Sequence, residues 1–174
     1  SRSVANFRFF AEFSKDFHEQ KFLMEDATNH VIFKPVGIAG LITPWNLPLY
    51  LLSWKIAPAI VMGNTVVAKP SELTPLTANL LAEVFDEVGL PAGVVNIVHG
   101  FGHETGQAIV SHPLVNLISF TGGTITGKKV AETAAPMFKK LSLELGGKNA
   151  TIVLDDVNLD SAIPEIARSG FLNH

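Results

Sequence analysis

Apolar residues recur along this chain either at helical spacing or in short strand-like runs. The change from one pattern to the other marks the boundaries of the predicted helices and strands. Apolar side chains at helical spacing over residues 3–17 predict an amphipathic helix near the N-terminus. The stretch 29–42 is rich in β-branched residues and predicts extended chain, broken at Pro35 and Gly37. We therefore divide the chain into an N-terminal helix (1–20), an extended segment (21–36) and a longer third part (37–174).

The third part alternates short apolar runs with segments at helical spacing. Strands are predicted at 65–70, 94–99, 116–120, 140–145 and 149–155. Helices are predicted at 75–89, 103–112, 124–135 and 158–171, the last interrupted by Pro164. Strands that alternate with helices of about 10 to 15 residues are typical of parallel βαβ units. We therefore expect an α/β fold in which helices cover both faces of a parallel sheet.

Composition and charge exclude several classes of protein. The 174 residues are 47% hydrophobic and 17% charged, which favours one soluble domain with strands buried on both faces. The net charge of −3 provides no basic surface, so no nucleic-acid partner is expected. The apolar run 47–62 is too short for a bilayer core of about 30 Å and contains Lys55 and Pro58. Neither a membrane span nor a secretion signal is predicted, and we expect a cytoplasmic location.

The absence of cysteine restricts the chemistry that the chain can perform. Without cysteine it forms neither a disulfide nor a thiolate metal site. His99 and His103 are four residues apart, but the neighbouring Gly100 and Gly102 disfavour the helix that would direct both rings at one metal. We predict a turn there, and no metal site.

Two glycine-rich turns follow predicted strands. GFGHETG (100–106) follows VVNIVH, and TGGTITG (121–127) follows NLISF. Each turn leads into the start of a helix, where free backbone N–H groups and the helix dipole attract an anion such as a pyrophosphate. The first turn is one residue longer than the usual dinucleotide fingerprint and lacks an acidic residue about 20 positions later. Glycines that merely permit tight turns between strand and helix explain either loop equally well.

A lysine and a glutamate follow another predicted strand. Lys69 and Glu72 stand three residues apart in KPSE, directly after TVVA. At the carboxyl end of a strand both side chains can reach a ribose, and a carboxylate there accepts hydrogen bonds from the ribose hydroxyls and repels a 2′-phosphate. The spacing alone favours the simpler interpretation, a solvated ion pair on a loop.

An aromatic residue and an amide stand between two prolines in TPWNLP (43–48). Because proline restricts the backbone, Trp45 and Asn46 are held in defined positions after an apolar strand. A fixed side-chain amide is a suitable donor to a developing oxyanion, although asparagine more commonly satisfies the backbone of a turn. The segment that follows carries Lys55 on an otherwise apolar helical face.

A carboxylate interrupts the apolar strand that ends in LSLELGGKN. The three leucines alternate as in a buried strand, yet Glu144 stands among them and two glycines follow. A partly buried carboxylate suits a general base near neutral pH. Gly146 and Gly147 leave the backbone after this carboxylate bare of side chains. The alternative is an edge carboxylate paired with Lys148 or Lys55.

These motifs, in this order, resemble the aldehyde dehydrogenase superfamily. The resemblance rests on TPWNLPLYLLSWKIAPAIVMGNTVVAKPSELTP, SFTGGTITG and LELGGKN, and it extends over about residues 35–174. Within the superfamily, the chain is most similar to NAD-dependent semialdehyde dehydrogenases of the 2-aminomuconate and 2-hydroxymuconate type. The resemblance implies an aldehyde-dehydrogenase-like, Rossmann-type sheet, incomplete in this chain. It also implies a homo-oligomer, with segment 21–36 as an oligomerisation arm.

The chemistry that the resemblance implies is the oxidation of an aldehyde to a carboxylic acid. A cysteine thiolate attacks the aldehyde, the thiohemiacetal passes hydride to NAD, and water hydrolyses the resulting thioester. Asn46 matches the amide that stabilises the oxyanion, and Glu144 matches the general base that acts on the hydrolytic water. Lys55 matches a lysine that relays protons from that glutamate.

The resemblance also implies a set of cofactor-binding residues. Lys69 and Glu72 match the pair that binds the adenosine ribose, so NAD is expected in preference to NADP. The other matching positions are Ile42, Pro44, Trp45, Gly102, Gly106, Phe120, Gly122, Gly123, Leu145, Gly146 and Gly147.

The chain departs from the family pattern in two places. The pyrophosphate loop reads FTGG where FTGS is usual, so Gly123 keeps the backbone donor and loses a hydroxyl, which predicts weaker NAD binding. The nucleophilic cysteine of the family follows a motif whose first residues match Asn173 and His174. We therefore interpret the chain as a segment that stops before this cysteine and expect it to turn over no aldehyde by itself.

Two other functions compete with this interpretation. A non-catalytic nucleotide-binding module, in which the cysteine is truly lost, is the alternative. A Rossmann-type reductase of the ordinary kind is disfavoured, because no ribose-binding acid follows the glycine loop and no Tyr/Lys or Ser/His pair is recognisable.

Overall fold

The computed structural model describes residues 2–171. In chain order, the helices and strands of this range are α1 (Arg2–Lys15), β1 (Gln20–Leu23), β2 (Thr28–Val31), β3 (Ile38–Ile42), α2 (Pro48–Val61), β4 (Thr65–Lys69), α3 (Leu76–Glu87), β5 (Val95–Ile97), α4 (Gln107–Ser111), β6 (Val115–Thr121), α5 (Thr124–Ala134), β7 (Lys140–Glu144) and α6 (Leu159–Phe171). A π-helical turn, Gly102–Gly106, precedes α4, and a short 3₁₀ turn, Ala135–Met137, follows α5.

Five strands form one parallel sheet in the order β5-β4-β3-β6-β7. The chain leaves the central strand β3 toward β4 and β5, and then returns to the other side of β3 with β6 and β7. This reversal is a topological switch point, and ligands of such sheets bind in the crevice beyond the carboxyl ends of the two strands that flank it. The predicted α/β fold with a parallel sheet is confirmed.

Helices cover both faces of the sheet, as the sequence predicted. On one face, α2 and α3 pack on β3 and β4 around Leu41, Ile56 and Val66. On the other face, α4 and α5 pack on β6 around Ile118 and Val130. Right-handed crossovers explain this division, because helices on the two sides of a switch point then lie on opposite faces. The two cores together hold the carboxyl-end loops in place.

A buried amide docks the N-terminal helix onto α2. Asn6 Nδ2 donates to Ser53 Oγ at 3.0 Å and to the Tyr50 carbonyl at 3.3 Å. After α1, strands β1 and β2 pair in an antiparallel hairpin whose residues are all exposed. The role of this hairpin segment as an oligomerisation arm stays a prediction. Among the helices of the described range, none has both the length and the apolar character needed to cross a bilayer.

The predicted strand at 149–155 is wrong. These residues have no regular secondary structure and belong to neither sheet, and Ile152, Val153 and Leu154 are exposed. The physical reason is the short connection from β7, since a parallel neighbour requires a crossover of about a dozen residues or more. Without a neighbouring strand to bond its N–H and C=O groups, apolar character alone does not make a strand.

Three other local predictions are corrected. Pro164 does not interrupt α6, because the ring removes one N–H donor while the turns on either side keep their own hydrogen bonds. The predicted helix at 103–112 begins as a π-helical turn, in which the Phe101 carbonyl accepts hydrogen bonds from the backbone N–H groups of residues 104–106.

The leucines of β7 do not form a buried strand. Since β7 is the last strand on its side of the sheet, Leu143 alone among its residues is half-buried.

Candidate functional site

Loops from all five strands of the parallel sheet meet at its carboxyl edge. They comprise residues 43–47 after β3, 70–75 after β4, 98–106 after β5, 122–123 after β6 and 145–148 after β7. Because the strands are parallel, their carboxyl ends lie on the same side of the sheet. Every motif singled out from the sequence is therefore brought to this edge, although the motifs span about a hundred residues of chain.

Trp45 and Asn46 lie in the loop between β3 and α2, and both are exposed. Pro48 begins α2, and the residue that caps this helix is Leu47, which provides no side-chain hydrogen bond. The Asn46 amide bonds no group in the part of the chain that the structure describes. The alternative interpretation, in which this asparagine satisfies the backbone of its turn, is therefore wrong, and the amide is available to a ligand.

Lys69 and Glu72 form an ion pair at the end of β4. Lys69 Nζ lies 3.1 Å from Glu72 Oε2 and donates to the Pro70 carbonyl at 2.9 Å. Lys69 is only 2% exposed, so a fully solvated pair is not what the structure contains. A hydrogen bond from its own backbone N–H, followed by the one from Lys69, lowers the pKa of Glu72. The Glu72 carboxylate is thus held ionised and is open to solvent just after the end of β4.

The second glycine-rich turn leads directly into α5. The first hydrogen bond of this helix runs from Gly127 N to the Gly123 carbonyl at 2.9 Å. The N–H groups of the first turn of α5 consequently lack partners within the helix and are available to an anion. A Cβ at Gly122 would lie 2.5 Å from the ring of Phe120, whereas a Cβ at Gly123 would meet no atom within 4 Å. Gly122 is required by packing and Gly123 is not.

The first glycine-rich turn lies beside the buried lysine. A Cβ at Gly106 would lie 3.7 Å from Lys69 Cδ, while the surroundings of Gly102 are open. The glycine that this turn requires is Gly100, which has φ of +142° and whose Cβ would collide with Thr105. From the sequence, Gly100 was expected to disfavour a helix and to permit a tight turn, but it was not among the cofactor-binding residues.

The two histidines of this turn have separate surroundings. His99 Nε2 lies 2.6 Å from Asn79 Oδ1, and the ring of His103 stacks on Phe101 with centroids 5.7 Å apart. Over residues 2–171, no three His, Cys, Asp or Glu side chains are grouped so that they could hold a metal ion.

Lys55 and Glu144 line one cleft of about 760 Å³ between α2 and the sheet. Lys55 is 7% exposed, and its Nζ donates to Ser119 Oγ at 2.7 Å. Burial lowers the pKa of Lys55 to about 8, and the negative charge of Glu144 opposes part of that shift. The two residues therefore interact electrostatically across the cleft.

Glu144 itself is exposed at the end of β7, so the expected partial burial is not found in the described chain. Within the described residues it forms no ion pair with Lys148 or Lys55, and the alternative of a paired edge carboxylate is also wrong. An unpaired carboxylate near a lysine of lowered pKa is an arrangement suited to proton transfer.

The residues after Glu144 pack on the start of α5. A Cβ at Gly127 would collide with the Leu145 side chain, so this helical glycine allows the loop to approach α5 closely. A Cβ at Gly146 would lie 3.5 Å from Thr124 Oγ1, and one at Gly147 would meet nothing within 4 Å. Neither of these two glycines is required by the described chain itself, which leaves their surface open to a ligand.

Two residues important to this geometry received no role from the sequence. Ser119 and Gly127 contact Lys55 and Leu145, respectively. The signal for Ser119 was a polar residue inside the apolar run NLISF, and the signal for Gly127 was a glycine inside a helical segment. Asn173 and His174, which match the start of the nucleophile motif, lie outside the described residues.

The chain is similar in sequence and in structure to proteins of one family. The sequence model of the Aldehyde dehydrogenase family matches residues 1–174. The 2-aminomuconic semialdehyde dehydrogenase of Homo sapiens is 55% identical over 174 residues, which are 99% of this chain and 36% of that protein. The 2-hydroxymuconic semialdehyde dehydrogenase of Pseudomonas sp. (strain CF600) is 49% identical over 178 residues, with 99% of this chain and 37% of that protein covered.

Solved structures have the same fold. An aldehyde dehydrogenase from Bacillus cereus, solved as an NAD⁺ complex, superposes with a TM-score of 0.95 and is 42% identical, with 99% of this chain and 35% of that chain covered. This chain thus spans a little more than one third of the length of the relatives it matches.

Proposed function

This chain belongs to the aldehyde dehydrogenase family, and on that premise we propose that it forms the nucleotide-binding part of an NAD-dependent enzyme that oxidises a semialdehyde to a carboxylic acid. The observation that carries the proposal is that Asn46, Glu72 and Glu144 follow three separate strands of one parallel sheet and so stand at its carboxyl edge, where the topological switch point also lies. An amide donor, a ribose acceptor and a general base are the groups that such an oxidation needs.

The residues of the crevice fit NAD. The N–H groups at the start of α5, which have no partner, can donate hydrogen bonds to a diphosphate, and the open surface at Gly123 leaves room for it. The Glu72 carboxylate, held by Lys69, can accept hydrogen bonds from the two ribose hydroxyls. A 2′-phosphate at the same place would meet that negative charge, which supports NAD over NADP as the cofactor.

Each polar side chain then has a separate role in the reaction. When bound, the nicotinamide supplies the acceptor for a hydride. The free amide of Asn46 donates a hydrogen bond to the substrate oxygen as negative charge develops there. Glu144 takes a proton from the hydrolytic water, and the amine of Lys55 takes that proton from Glu144. The chain has no cysteine, and we propose that the nucleophilic thiolate comes from a part of the enzyme outside these 174 residues.

The substrate class follows from the relatives. Aldehyde dehydrogenases that act on 2-aminomuconic and 2-hydroxymuconic semialdehydes are 55% and 49% identical to this chain, respectively. We propose a semialdehyde, which carries a carboxylate as well as the reacting aldehyde, as the substrate.

The test is a comparison of wild-type and Glu144→Gln complete enzyme with a muconic semialdehyde and NAD. We expect the variant to release one burst of NADH and then stop, because hydride transfer precedes the hydrolysis that needs the base. Glu132→Gln, an exposed position on α5, is the matched control and should turn over normally. Undiminished steady-state turnover by Glu144→Gln would refute the role of Glu144. A wild-type enzyme that reduces no NAD with any semialdehyde would favour the non-catalytic module instead.

A further inference from the structure

A row of polar side chains crosses the sheet face that otherwise carries the α2 core. Ser119 and Thr121 occupy alternate positions of β6, and Ser142 and Glu144 occupy alternate positions of β7. Alternate residues of a strand point to the same face. In the parallel register Ser119 is opposite Ser142, and Thr121 is opposite Glu144. All four line the cleft into which Lys55 extends from α2.

Ser119 is the innermost member of this polar row. It is 8% exposed, and its neighbours in the cleft lining include the apolar Leu41 and Leu117. A hydroxyl in such surroundings is costly unless it is hydrogen-bonded. Its partner is the Lys55 ammonium, 2.7 Å away, which reaches it from a residue 64 positions earlier in the chain. Within the described residues this is the hydrogen bond that holds the end of the Lys55 side chain.

Few charged groups act on Lys55 in this cleft. Of the described residues that line it, those with titratable side chains are Tyr50, Lys55 and Glu144. The element α1 contributes Phe10 to the lining, and β3 contributes Ala39 and Leu41, none of which titrates. The charge that interacts with Lys55 is that of Glu144. The protonation of Lys55 is consequently governed by burial, by Glu144 and by the Ser119 hydroxyl.

We propose that Ser119 is a positioning residue for the proton relay, since its hydroxyl holds the Lys55 ammonium on the polar row that leads to Glu144. This inference rests on the proposed function, in which Lys55 takes the proton that Glu144 has accepted. The proton moves from the Glu144 carboxyl group to the Lys55 amine, and the Ser119 oxygen accepts a hydrogen bond from the ammonium that forms. In this proposal Ser119 acts through Lys55, the residue whose ammonium it contacts.

The decisive measurement is the titration of Lys55 in the complete enzyme, followed by NMR of lysine labelled with ¹³C at Cε and ¹⁵N at Nζ. Removal of the hydroxyl in Ser119→Ala withdraws a hydrogen bond from the charged form, so the midpoint of Lys55 should fall by about one pH unit. Ser119→Thr keeps the hydroxyl and should retain the wild-type midpoint. Ser111→Ala, an exposed serine that bonds only carbonyls of its own helix, is the matched control.

The complete enzyme provides the second readout. In Ser119→Ala we expect the pH dependence of steady-state turnover to move in the same direction as the Lys55 midpoint, while the amplitude of the NADH burst is unchanged. A Lys55 midpoint and a pH profile that are both unmoved in Ser119→Ala would overturn the inference and leave the proposed function standing. A wild-type enzyme without dehydrogenase activity would instead refute the proposed function, whatever the titration of Lys55 shows.

Discussion

Gly127 and Leu145 lie so close together that any side chain at position 127 would occupy the volume of the leucine. The contact joins the first turns of α5 to the loop after β7, and so ties the glycine-rich turn to the segment that follows Glu144. A helical glycine normally weakens its helix by about 0.5–1 kcal/mol relative to alanine. Here a Cβ would meet the end of the Leu145 side chain, which would have to shift to admit it.

Gly127→Ala should therefore destabilise the chain, even though alanine is the better helix former. Displacement of Leu145 is expected to lower the free energy of unfolding by about 1–3 kcal/mol, the usual cost of overpacking. Urea denaturation followed by circular dichroism measures the difference. Gly170→Ala in α6 is the control, because a Cβ there meets nothing within 4 Å. Unchanged or increased stability of Gly127→Ala would mean that Leu145 moves away without cost.

Gly123 leaves space for the hydroxyl that the family pattern places in the pyrophosphate loop. Its φ of −68° suits any L-residue, and its Cβ would meet nothing within 4 Å. In the complete enzyme, Gly123→Ser should be tolerated and should tighten NAD binding about tenfold, since one hydrogen bond to a charged group contributes about 1.5–3 kcal/mol. Fluorescence titration with NAD measures the Kd. Gly123→Ala, which adds a Cβ without a hydroxyl, should bind as the wild type does, and equal tightening in both variants would contradict the explanation.

Glu72 should determine the choice between the two nicotinamide cofactors. In the complete enzyme, Glu72→Gln removes the charge that faces the 2′-position, so NADP should bind more tightly and NAD more weakly. The ratio of kcat/KM with NAD to kcat/KM with NADP should therefore fall about tenfold or more. Glu83→Gln, on the exposed surface of α3, serves as the control. An unaltered cofactor preference in Glu72→Gln would show that the carboxylate does not contact the ribose.

Lys55 should reduce the stability of the chain near neutral pH. Its pKa of about 8 lies below the usual 10.5, so between these values the unfolded state holds a proton that the folded state has released. Unfolding free energy therefore rises with pH across that window, by about 3 kcal/mol from this group. Lys55→Met should be more stable than wild type at pH 7 by about 1–3 kcal/mol and should lose this rise.

Urea denaturation of both proteins at pH 7 and pH 10 tests the expectation for Lys55. Lys128→Met, whose parent side chain is largely exposed, should keep the pH dependence of the wild type. If Lys55→Met is less stable than wild type at pH 7, the hydrogen bond to Ser119 outweighs the cost of burying the ammonium.

Local sequence patterns predicted most elements of this fold, and failed where a distant contact decides. The alternation of apolar runs with helical spacing led to the parallel sheet, because burial on both faces leaves its period in the sequence. The same apolar character at 149–155 predicted a strand that does not form, since pairing depends on a neighbour that composition does not reveal. The leucines of β7 were expected to be buried, but they lie on an edge strand.

For the candidate site, too, the sequence determined some features and the tertiary structure decided the others. The sequence by itself determined which chemical groups are present and in which order: the amide of Asn46, the Lys69–Glu72 pair, the glycine turns and Glu144. Only the tertiary structure decided that Lys69 is buried, that Asn46 is unpartnered, and that Lys55 and Ser119 meet across 64 residues of chain. The reason is physical: residue types follow from the chain alone, whereas burial, and with it the pKa of Lys55, arises only when α2 packs on the sheet and brings Lys55 to Ser119 of β6.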